Sequence, residues 1–164
     1  MKIKGSRAIK SLLVATTATG LILGATGIAS AASGTVTWGS NRYPGFLSDI
    51  GGGRVTTYAD TSNIPLAHVW YDIQNSDGSW NEVNAQTGWC LTSFSNQAVY
   101  TEPCSSGKDA TNWWQRWYEI QTPTGWKLQS RMTGFILDSG GPYPNNVYAN
   151  PTDWGDSNSA QRWH

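Results

Sequence analysis

Three tryptophans recur at near-constant spacing: Trp70, Trp117 and Trp163 lie 47 and 46 residues apart. The last two close the same tripeptide, Gln115-Arg116-Trp117 and Gln161-Arg162-Trp163, and the first closes His68-Val69-Trp70. Two further anchors keep the same order. "GFLSD" (45–49), "GWCLT" (88–92) and "GFILD" (134–138) recur at spacings of 43 and 46 residues. Between each of these and its tryptophan lies a segment with a central tyrosine: "TTYAD" (56–60), "AVYTE" (98–102) and "NVYAN" (146–150). Self-similarity at a fixed period marks a repeat architecture, whose single units cannot bury their apolar faces alone. Three units of about 43 residues must therefore share one core.

The units read as strands. "AVYTE", "WYEIQ" and "GWKLQSR" mix polar with aromatic and β-branched residues at short range, the pattern of half-buried strands. Turn-forming clusters such as "NSDGSW", "TPTGW" and "PTDWGDSNS" separate them. No sustained helical period is present after the N-terminal segment. The expectation is an all-β fold of three units closed into a barrel, which leaves no long open edge. Trp70, Trp117 and Trp163 are predicted to fill the shared core, with Leu91, Val99, Leu137 and Val147 beside them. Gln115 and Gln161 are predicted to bond backbone groups that a turn-rich fold leaves unpaired.

The first 31 residues read as an export leader. Lys2, Lys4, Arg7 and Lys10 precede an apolar run from Leu12 to Ile28, and Ala29-Ser30-Ala31 fits a small-x-small cleavage site. The rival reading is a membrane anchor, against which the threonines and glycines that interrupt the apolar run count. The rest, 32–164, reads as one domain with repeats at about 36–80, 81–124 and 125–164. Without the leader, seven basic residues face eleven acidic ones. No basic stripe remains, which argues against a nucleic-acid partner. No membrane span is expected after processing, and the destination is extracellular. In an oxidising space Cys90 and Cys104 are expected to pair across a 15-residue loop. The alternatives are two free buried thiols or part of a metal site; with only His68 and His164 to join them, a metal is not expected.

Repeated "Q-x-W" with "C-L" and "P-C" between resembles the ricin-type β-trefoil lectin family over essentially all of 32–164. The middle unit, "NAQTGWCLTSFSNQAVYTEPC", is similar to the actinohivin-type repeat of small bacterial lectins. The resemblance implies a β-trefoil with pseudo-threefold symmetry, and glycans or polysaccharides as ligands. In such a site a carboxylate accepts from vicinal hydroxyls while an aromatic ring packs on the sugar's CH face. Carried over, the third unit offers Asp138, Tyr148, Asn150 and Asp153, with Trp154 as a stacking platform or as a ring folded over the barrel end. The first unit offers Asp49, Tyr58, Asp60 and Asn63, if the tyrosines are aligned across "IGGGR". The middle unit offers Tyr100 and Trp114 but has Thr92 where the acid is expected. This ranks the third unit first and the middle unit last.

No serine-histidine-acid arrangement is apparent, and no pair of acids is singled out as catalytic, so the reading is a binding protein without a cofactor. The competing reading is a protein-interaction module, either an inhibitor or the targeting subunit of a larger secreted assembly.

Overall fold

Three indoles set the architecture. In the computed structural model, which describes residues 34–59, 62–105, 108–141 and 147–164, the Trp70 Nε1–H donates to the Leu47 carbonyl at 2.9 Å. Trp117 donates in the same way to Leu91 at 2.9 Å and Trp163 to Leu137 at 3.2 Å. All three rings are fully buried and belong to one apolar cluster with Leu47, Val55, Leu91, Val99, Leu137 and Val147. The core predicted from the repeat is the core observed. The expected leader, the "PYPNN" part of the third-unit insertion and Asp60 lie outside the described residues.

Each unit is a pair of barrel strands with a hairpin between them. The strands are β1 (Thr35–Val36), β2 (Phe46–Asp49), β3 (Val55–Tyr58), β4 (Trp70–Gln74), β5 (Trp80–Asn84) and β6 (Trp89–Ser93), followed by β7 (Val99–Pro103), β8 (Trp117–Thr122), β9 (Gly125–Ser130), β10 (Ile136–Asp138) and β11 (Tyr148–Asn150). Hydrogen bonding runs β1-β4-β5-β8-β9, all antiparallel. The C-terminal residues close the ring. Trp163 bonds Trp126 in both directions, and Gly39 and His164 exchange bonds at 2.8 and 2.9 Å. The barrel so formed hides its edges. The hairpins β2–β3, β6–β7 and β10–β11 follow, one per unit, and β5 and β9 each also bridge to the first strand of their own unit's hairpin, β6 and β10.

The glutamines do what their position predicts. Gln115 donates from Nε2 to the Pro103 carbonyl (3.1 Å) and accepts from the Ser105 N–H (2.9 Å). Gln161 repeats this with the Thr152 carbonyl (2.8 Å) and the Trp154 N–H (3.0 Å). Each side chain thus pins the loop that follows its hairpin. In the first unit His68 takes this place, and its Nδ1 is buried without a partner among the described residues. Gln161→Met keeps the volume but strands both loop groups. It is expected to cost about 1–3 kcal/mol in urea unfolding, with faster amide exchange at Trp154.

Adjacent units interlock through a second repeated device. Ser40 Oγ accepts from the Arg42 and Tyr43 N–H groups, Asn84 Oδ1 from Gln86 and Thr87, and Ser130 Oγ from Thr133. These turns meet a residue of the preceding hairpin: Ser139 Oγ lies 2.9 Å from Ser40 Oγ, and Ser93 Oγ lies 2.6 Å from Ser130 Oγ. At the first boundary Asp49 plays the equivalent part, accepting from Thr87 Oγ1 at 2.8 Å.

Candidate functional site

The third hairpin gathers Asp138, Tyr148 and Asn150. Antiparallel pairing sets Asp138 directly opposite Tyr148 and Ile136 opposite Asn150; the period-2 pleat then turns Asp138, Tyr148 and Asn150 to one face. Asp138 Oδ1 accepts from the Gly140 N–H at 2.6 Å, and Oδ2 accepts from Asn150 Nδ2 at 3.0 Å. Asn150 Nδ2 also donates to the Tyr148 hydroxyl at 3.0 Å. A Cβ on Gly140 would come within 2.8 Å of Asp138 Oδ1, so only glycine lets this turn fold back on the carboxylate. Burial, and then the charge of Asp138, hold the Tyr148 hydroxyl above the usual phenol range. Asp138 itself is 2% exposed, whereas Tyr148 is half-buried. The Tyr148 phenol is therefore the accessible member of the group, with the Asp138 carboxylate behind it.

Asp153 and Trp154 lie on the loop after β11, apart from that hydrogen-bonded group. Asp153 pairs with Lys127 Nζ at 2.6 Å, which with its other contacts holds its carboxyl below the ordinary range. Trp154 is anchored through its N–H by Gln161 while its ring is 60% exposed.

The first unit is in a different register from the one that aligning its tyrosine suggests. Trp70 bonds the carbonyl of Leu47, and Trp163 that of Leu137. Ser48 is thus the counterpart of Asp138, and Asp49 lies one residue further on. A one-residue shift in a strand sends the side chain to the opposite face. Asp49 accordingly points inward, fully buried, where Oδ2 accepts from Thr101 at 2.7 Å as well as from Thr87. It ties two units together and presents no oxygen to solvent. Tyr58 stands opposite Phe46, two residues beyond Thr56, the residue facing Ser48. Asn63 is exposed in the following turn.

In the middle unit Thr92 is buried and donates to the Cys90 carbonyl at 2.9 Å. Tyr100 and Trp114 are joined by a residue the sequence reading missed. Phe94 stacks on Tyr100 with ring centres 4.4 Å apart and lies near-parallel to Trp114 at 6.0 Å. The Cys90–Cys104 disulfide is formed.

A groove of about 760 Å³ runs along β7 and ends at Tyr148; Arg54, Trp89, Tyr100 and Glu102 line it. Its volume is that of a pocket for a drug-sized ligand. Gly53 makes it possible. With φ at +79°, it lays the "IGGGR" loop against β7, where the Thr101 N–H donates to the Gly53 carbonyl at 2.9 Å. Trp89 and Tyr100 are each more than a third exposed. Among the described residues neither Arg54 nor Glu102 forms an ion pair. Arg54, Trp89 and Glu102 escaped sequence reasoning; the signal available was the large indole at Trp89, where the other units carry Phe46 and Phe135.

Solved structures share this fold. A GlcNAcα1-4Gal-releasing endo-β-galactosidase from Clostridium perfringens superposes with a TM-score of 0.66 at 14% identity, over 79% of this chain and 31% of that one. Cytolethal distending toxin from Actinobacillus actinomycetemcomitans gives 0.66 at 15%, over 79% and 88%. The designed threefold-symmetric protein ThreeFoil gives 0.63 at 19%, over 79% and 96%. The fold is a β-trefoil. The chain spans less than a third of the length of the endo-β-galactosidase. No protein-family model and no curated sequence matches the chain. Among the described residues no helix is long and apolar enough to cross a membrane.

Proposed function

We propose that this β-trefoil is an exported glycan-binding module, and that its principal contact is Tyr148, backed by Asp138 and Asn150 at the end of the β7 groove. The observation that carries this reading is the hydrogen-bonded trio on the third hairpin, whose Tyr148 lines a groove shared with Trp89 and Tyr100. The chemistry matches a pyranose. Hydroxyls exchange hydrogen bonds with the phenol and the amide, and CH faces lie on the exposed rings. A groove this open excludes little water, so each contact is weak.

Glycan-array screening of the purified protein tests this directly. The expected result is a family of oligosaccharide hits. Tyr148→Phe and Asp138→Asn, which preserve shape, are expected to weaken them at least about tenfold, the effect of removing one or two ligand hydrogen bonds. Asp49→Asn, at the buried unit boundary, is expected to lower stability and leave the hits in place. Hits that survive both third-hairpin changes would exclude this site.

A second reading has its own support. The likeness to cytolethal distending toxin extends over 88% of that chain, and another match is to a mosquitocidal holotoxin. On this reading the chain is the targeting subunit of a larger secreted assembly. An empty glycan array, together with a stoichiometric protein partner recovered from the native culture medium, would favour it.

A further inference from the structure

We propose that Asp72, Glu82 and Glu119 form a binding site for a hard divalent cation, Ca2+ in type, inside the barrel. The strands that carry them are neighbours: β4 pairs with β5 and β5 with β8. Asp72 stands directly opposite Glu82. Trp70 and Trp117 point into the core, and two residues further along each strand the pleat returns to the same face, at Asp72 and Glu119. The acid is repeated with its surroundings: β4 reads Trp70-Tyr71-Asp72-Ile73-Gln74 and β8 reads Trp117-Tyr118-Glu119-Ile120-Gln121. Two units therefore place a carboxylate at the equivalent inward position, and β5 supplies the third.

One carboxylate oxygen from each residue lies within 4.8 Å of the other two. Ca2+ binds oxygen at about 2.3–2.6 Å, so atoms at this separation can share one ion. Glu82 is fully buried and Asp72 is 6% exposed. Even so, Asp72 Oδ1, Glu82 Oε1 and Glu119 Oε1 receive no hydrogen bond from outside the cluster among the described residues; only the acids themselves are within reach of one another. The other oxygen of Glu82 accepts from Trp38 Nε1 at 3.1 Å, which fixes the carboxylate. Such an outer contact is what holds a metal ligand in place. No lysine or arginine pairs with the three acids among the described residues.

Buried, uncompensated carboxylates are costly, so the cluster must take up either protons or a cation. Burial, followed by the neighbouring negative charges, raises Glu82 well above the ordinary range and Glu119 to about 7. The donor set is all oxygen, which suits Ca2+ and does not suit zinc, whose structural sites use cysteine and histidine. Glu119 is half-buried and offers the route in, with water completing the coordination.

Thermal unfolding of the full chain after chelator treatment, with and without added CaCl2, tests the site. The expected result is a saturable rise in Tm of about 5 °C or more in Ca2+, reversed by chelator. Glu82→Gln and Asp72→Asn lift the charge burden, so they are expected to be at least as stable as the parent in chelator and to lose the Ca2+ response. Tb3+ emission excited through tryptophan supplies a second reading, expected to be displaced by Ca2+ and absent in Glu82→Gln. A parent Tm indifferent to Ca2+, meaning a protonated cluster only, would overturn the proposal. So would a Ca2+ shift or Tb3+ signal that persists unchanged in both variants.

Discussion

Trp117→Ala is expected to destabilise the fold by about 3–5 kcal/mol, the range for removing a large buried aromatic. The indole is fully buried at the junction of β8 with the middle hairpin, and its Nε1–H satisfies the Leu91 carbonyl. Truncation opens a cavity among Leu91, Val99, Leu128 and the other indoles and also leaves that carbonyl without its donor. Much of a small domain's total stability would be lost. Trp117→Phe separates the two effects: most of the apolar volume stays while the hydrogen bond goes, and the expected loss falls to about 1–3 kcal/mol. Urea unfolding of both variants checks this. Equal stability of Trp117→Ala and the parent would mean that the three indoles do not hold the units together.

Loss of the disulfide is expected to have the next largest effect, about 3 kcal/mol by the chain-entropy estimate for a loop of this length. Cys90 is the second residue of β6, and Cys104 directly follows β7. The bond therefore closes the open end of the middle hairpin, next to the Ser105 N–H that Gln115 holds. The unfolded chain without the bond gains loop freedom, while the folded hairpin keeps its ladder from Trp89–Pro103 to Ser93–Val99. Cys90→Ala together with Cys104→Ala should consequently lower the urea midpoint without abolishing the native β-sheet signal. A midpoint unchanged by the double substitution would contradict the assignment.

The repeat was legible because its anchors are chemical as well as spatial. An indole needs a carbonyl and a buried place, and a glutamine needs two backbone partners; both demands can be read from residue type and order. Register in the first unit was not legible. "GFLSD" has one residue fewer between its glycine and its leucine than "GFILD", and a strand gives no warning that such a step reverses every face. Asp49 was expected on the ligand side and lies inside, bonded to Thr87 and Thr101. The acid cluster was hidden for a related reason. Period-2 alternation puts Glu119 on the inward face of Trp117 and Asp72 on that of Trp70, but only the packed barrel brings Glu82 of β5 to meet them. The groove was hidden because Arg54, Trp89 and Glu102 come from two units and meet only through the glycine-rich loop.

The relation between fold and function also follows from the repeats. Core positions are equivalent in all three units, whereas outward positions differ: Ser48, Thr92 and Asp138 occupy the same place on successive hairpins. Only the third retains a carboxylate there, and only there does the opposite strand supply both a phenol and an amide. On the proposed function, recognition falls chiefly to one hairpin of a nearly symmetric body.

A crystal soaked with the oligosaccharide that binds best on the array tests that assignment most directly. The account predicts sugar density against Tyr148, with hydroxyls in hydrogen-bond reach of Asn150 and the chain of residues extending toward Tyr100 and Trp89. Density confined to the first or middle hairpin, with Tyr148 still facing solvent, would contradict it.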